Sequence, residues 1–135
     1  MSGRTNTTRF RRNRASVSRA RRHVEAVLVE WKLGHLAEPA VLITSELATN
    51  TVLHAQGISE YFELTLRRRR SVLVLEVADA CTWAQPELRK PDPEALGGRG
   101  LWLVDALADA WGVRERSVAG KTVWVQLATR GGGDA

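Results

Sequence analysis

The stretch Glu46-Leu47-Ala48-Thr49-Asn50-Thr51-Val52-Leu53-His54-Ala55 decides how this chain is read. At about 3.6 residues per turn, Glu46, Asn50 and His54 fall at i, i+4 and i+8, so a helix here carries a carboxylate, an amide and an imidazole along one stripe. Those groups supply a base, an oxygen ligand for a hard cation such as Mg²⁺, and a donor for phosphate. Asn is a poor helix-interior residue because its side chain competes for backbone hydrogen bonds, so its place here suggests a ligand face. A solvated face is the alternative on these residues alone. Beside that stripe, Val41, Thr44, Ala48, Val52 and Ala55 give an apolar one. Pro39 suits the first turn of the helix and Gly57 its end.

Working outward, Ser16 to Leu33 reads as an amphipathic helix. Val17, Ala20, Val24, Val27 and Trp31 recur at helical spacing, Ser16 is the expected N-cap, and Gly34 is the expected stop. Residues 1–14 form a basic arm with a short strand near Thr5 to Phe10. On the other side, Tyr61 to Leu66 alternates apolar with polar, and Val72 to Ala78 is a valine-rich run. The two predict antiparallel strands, with Arg67 to Arg70 as an exposed turn and its flanks. Asp79 ends the second strand. From Cys81 to Gly98, with Pro86, Pro91 and Pro93, periodicity is lost and a long loop is expected, of the kind that is usually functional or mobile. Helical spacing resumes at Leu101, Val104, Leu107 and Ala108. Trp111 to Arg116 and Thr122 to Leu127 read as closing strands around a turn at Ala119-Gly120, and residues 129–135 as a tail. His23 and His35 read as surface residues of the first helix and its end.

A chain of 135 residues, 44% hydrophobic, suits one compact domain. The single cysteine, Cys81, excludes an internal disulfide and a cysteine-based metal cluster. No signal peptide or apolar run of membrane-spanning length is visible, so a cytoplasmic location and no membrane partner are expected. The net charge of +5 is uneven: eight of the 20 basic residues lie in positions 1–22, which hold no acid. That leaves twelve bases against fifteen acids, a net charge of −3, over residues 23–135. Such an arm is either solvated or a contact for nucleic acid or an acidic partner.

Glycines 97, 98 and 100 before a helix leave backbone N–H groups bare, which favours an anion such as phosphate, although glycines there also serve ordinary loop closure. The pattern is neither a Walker loop nor a dinucleotide fingerprint. Asp79 at a strand end can accept from an exocyclic amine or simply form a turn. The combination, in order and spacing, is more specific. Glu-Leu-x-x-Asn-x-x-x-His-Ala on a helix, Asp79 after the hairpin, Gly97-Gly98-Arg99-Gly100-Leu101 opening a helix, Trp111-Gly112, and Gly120-Lys121-Thr122-Val123-Trp124 resemble the bacterial anti-sigma-factor serine-kinase family. That family belongs to the ATPase superfamily of histidine kinases, gyrase, a heat-shock chaperone and a mismatch-repair ATPase, and the resemblance runs over roughly residues 5 to 128.

The resemblance implies a two-layer α/β sandwich, with a mixed, mainly antiparallel sheet covered on one face by three helices, over residues 15–128. It implies ATP and Mg²⁺ as cofactors. Asn50 would ligate the Mg²⁺, Glu46 would be the general base toward an acceptor serine, and His54 would approach the phosphates. Asp79 would read the adenine amine, supported by Thr122, while Gly98, Arg99, Gly100 and Leu101 would form the lid and its hinge. One departure stands out: the family often has Asp-x-Gly-x-Gly, whereas Asp79 is followed by Ala80, Cys81, Thr82 and Trp83, which removes glycines from the backbone approach to adenine. The implied activity is phosphorylation of a serine on an anti-sigma-factor antagonist, with a sigma factor held in the other state and self-association as a homodimer left open. A non-catalytic, ATP-gated binding module is the alternative, and a nucleic-acid-binding protein using the arginine arm is a more distant one.

Overall fold

The computed structural model describes residues 3–54, 60–79, 99–115 and 121–129. Strand β1 (Arg4–Arg11) leads into helix α1 (Arg14–Glu30), a 3-10 turn (Gly34–Leu36) and helix α2 (Ala37–His54). The hairpin β2 (Tyr61–Arg69) and β3 (Val72–Asp79) follows, then helix α3 (Arg99–Leu107) and strands β4 (Ala110–Glu115) and β5 (Lys121–Ala128). The strands form one sheet in the order β1-β2-β3-β5-β4, and every pairing is antiparallel.

Period-two alternation explains the two-layer build. Phe62, Leu64 and Leu66 of β2, Leu73, Leu75 and Val77 of β3, and Val123, Val125 and Leu127 of β5 fall on one face of the sheet by register and are buried. They share one core with Ala20, Val24, Val27 and Leu28 of α1, Ala40, Ile43, Leu47 and Ala48 of α2, and Val104 of α3. The intervening strand positions form the other face, which is largely polar: Thr7 bonds Thr65 there at 3.0 Å, and Arg9 pairs with Glu63. The two-layer sandwich expected from the sequence is therefore observed, with antiparallel pairing throughout the described strands where a mixed sheet was expected.

The first helix differs at both ends from the sequence reading. Its N-cap is Asn13, whose Oδ1 accepts from the Ser16 N–H at 3.0 Å and from the Ser16 hydroxyl at 3.1 Å; Ser16 lies inside the first turn and is buried. The helix ends at Glu30, ahead of Gly34, because Lys32 takes a left-handed conformation (φ 63°). The Lys32 N–H then bonds the Val29 carbonyl and the Leu33 N–H the Leu28 carbonyl, which satisfies carbonyls the helix would otherwise leave open. Arg68 donates to the Trp31 carbonyl at 2.8 Å, tying the hairpin to this helix end. Only Arg70 and Ser71 form the β2–β3 turn; the other arginines of the run belong to β2.

Candidate functional site

Helix α2 positions the central residues. Its buried positions are Ala40, Ile43, Thr44, Leu47, Ala48 and Thr51, a stripe at helical spacing that packs on α1, α3 and β3. This differs from the expected Val41, Thr44, Ala48, Val52 and Ala55: Val41 and Val52 pack only at the core's margin, and Ala55 lies outside the described residues. The shift turns the neighbouring Glu46 and Asn50 to the border of the core, where both are half-buried. They are a carboxylate and an amide one turn apart on the same helix, each only partly screened from water. His54 is the last residue of α2, on the same stripe by spacing.

Of the remaining predicted residues, Asp79 lies on a strand and Arg99, Gly100 and Leu101 on a helix that pack against α2. Asp79 ends β3, a strand that α2 packs against, and its Cα partners are Phe62 on β2 and Lys121 on β5. Arg99, Gly100 and Leu101 open α3, which also packs on α2. Gly98 and the expected loop from Cys81 lie outside the described residues. Thr122 is buried but pairs with Ala78, so Lys121 rather than Thr122 is the residue in register with Asp79. Thr122 alternates with the core residue Val123 and belongs to the side of the sheet opposite the described helices. A one-residue offset is enough to exchange the two faces of a strand.

Two further polar positions escaped the sequence reading. His23, expected at the surface, is half-buried, with Nε2 at 2.7 Å from Asn6 Oδ1 and 3.1 Å from Thr8 Oγ1 and its ring edge-on to Phe10 at 5.9 Å. Loss of hydration pulls its pKa below the ordinary 6.5. It joins β1 to α1 and stands apart from the α2 site. His35 is exposed, yet its Nε2 meets the Thr129 carbonyl at 2.8 Å. Neither contact has a sequence signal, because each joins segments distant in the chain.

Among the described residues no three His, Cys, Asp or Glu side chains gather to hold a metal ion. The donor set nonetheless suits Mg²⁺ held jointly with phosphate: the Asn50 amide oxygen is a hard ligand, and Mg²⁺ is commonly held by one or two protein oxygens with phosphate and water completing its shell. No described helix is long and apolar enough to cross a membrane.

A two-layer sandwich whose second helix carries the half-buried Glu46 and Asn50 and packs on β3 and α3 is compatible with a nucleotide-binding domain of the ATPase type. The family model for the histidine kinase-like ATPase domain matches residues 10–127, and the chain belongs to that family. No curated protein matches the chain.

Proposed function

We propose that this ATP-binding domain is a regulatory serine/threonine protein kinase of the anti-sigma-factor type, which phosphorylates a serine on an anti-sigma-factor antagonist and, in its other state, holds a sigma factor. The observation that carries the reading is the half-buried Glu46–Asn50 pair on a helix packed against both β3, which ends in Asp79, and α3, which opens with Arg99-Gly100. Asn50 would hold Mg²⁺, which when bound neutralises phosphate charge. Glu46 takes the proton of the acceptor serine hydroxyl as its oxygen bonds to the γ-phosphorus and the bond to ADP breaks. Asp79 accepts from the adenine amine, and His54 with the residues opening α3 orients the phosphates. Phosphoryl transfer depends mainly on positioning and charge neutralisation, so these groups form a sufficient set.

The test is Glu46→Gln. Mg·ATP and partner binding should persist while transfer of labelled γ-phosphate to a partner recovered with Mg·ATP falls by roughly 10²–10⁴-fold, the usual size of a general-base contribution. Equal rates in parent and variant would remove Glu46 from the mechanism. Absence of transfer by the parent would favour a module that uses ATP only to gate protein binding.

A further inference from the structure

The sheet face turned away from the helices holds a groove of about 520 Å³, lined in part by Arg67, Arg69, Arg70 and Arg114, with Val74 and Trp124 beside them. Four arginines gather here although residues 23–135 carry net negative charge. Glu76, also in the groove, is held by Arg67 at 3.5 Å and Arg114 at 3.1 Å, one on each carboxylate oxygen. It fixes those two guanidinium groups without balancing the cluster. Arg69 and Arg70 are exposed and make no ion pair among the described residues.

Trp124 supplies an apolar platform beside this charge. It stands in register with Gly112 on β4, where a Cβ would come within 2.7–3.0 Å of three indole atoms. The missing side chain at Gly112 is what lets the ring lie against the neighbouring strand, and Trp124 stays only half-buried. Open guanidinium donors beside a partly open aromatic surface match a ligand that alternates carboxylates with apolar side chains.

We propose that this groove docks an acidic peptide segment of a protein partner, its carboxylates on Arg69 and Arg70 and an apolar side chain against Trp124. Nucleic acid fits less well, because Glu76 would face a continuous row of phosphates, whereas a peptide can set an uncharged residue there. The surface lies on the opposite side of the sheet from α2, so the inference stands apart from the nucleotide reading.

The experiment titrates the full chain with the acetylated, amidated hexapeptide Asp-Glu-Phe-Asp-Glu-Leu and follows backbone amide and indole N–H signals by NMR. A counterpart with lysine at each acidic position and a thymidine oligonucleotide serve as the other arms. The acidic peptide should give saturable shifts at the β2–β3 turn and the Trp124 indole, weakened by salt. Arg69→Glu/Arg70→Glu should weaken binding roughly tenfold or more, since charges at an interface act through complementarity. Gly112→Ala, which leaves the charge unchanged but crowds the indole, should weaken it too; thermal melts verify folding of both variants. The proposal is overturned if the acidic peptide gives no saturable shift, if its affinity is unchanged in the charge-reversed variant, if the shifts fall on the helical side, or if the lysine peptide or the oligonucleotide occupies the groove in preference.

Discussion

Replacing Asn13 by alanine tests how the first helix is anchored. The side-chain oxygen of Asn13 serves two donors, the Ser16 N–H at 3.0 Å and the Ser16 hydroxyl at 3.1 Å, and Ser16 is 1% exposed. Loss of the cap costs about 1 kcal/mol. The stranded hydroxyl adds about 1–3 kcal/mol, because water cannot reach it. Asn13→Ala should therefore lower stability by about 2–4 kcal/mol, a fall in Tm of roughly 7–14 °C for a domain of this size. Asn13→Asp keeps an acceptor at the same place and should stay within about 0.5 kcal/mol of the parent. Asn13→Ala/Ser16→Ala removes the orphan along with its partner, so it should lose only about 1 kcal/mol, less than Asn13→Ala alone. Urea unfolding followed by circular dichroism measures all three. A double variant as unstable as the sum of its singles, or an Asn13→Ala loss below about 0.5 kcal/mol, would refute the reasoning.

Three further outcomes are expected. The His23 pKa is depressed by burial, so below its ordinary 6.5 the unfolded chain binds more protons than the folded one. The neutral ring therefore contributes stability above that value and loses it as pH falls toward the folded pKa; unfolding curves between about pH 7.5 and pH 5.5 should show this slope, and His23→Gln should flatten it. Asn50→Ala should remove most of the Mg²⁺ dependence of ATP binding and leave the fold intact, since Asn50 borders the core without joining it; calorimetry with equal Mg²⁺ dependence in both proteins would contradict this. Asp79→Asn should weaken ATP binding about tenfold or more, the equivalent of about 1.5–3 kcal/mol for a hydrogen bond to a charged group, and unchanged affinity would put adenine recognition elsewhere.

The sequence by itself determined the local elements. The stripes of α1 and α3, the helical span of α2, the alternation of β2 and the valine-rich run of β3 are carried by patterns that depend on neighbours a few residues away. The same locality set Glu46, Asn50 and His54 on one line of α2. Only the tertiary structure decided what that line borders: packing against α1, α3 and β3 chose Ile43 and Leu47 for the core and left Glu46 and Asn50 half-buried at its edge. It also placed β5 between β3 and β4, bringing Lys121 rather than Thr122 level with Asp79, and it drew His23 in from the surface to Asn6. The groove of Arg67, Glu76, Arg114 and Trp124 draws on four strands whose order and register follow from which apolar faces bury together, and residues far apart in the chain settle that jointly.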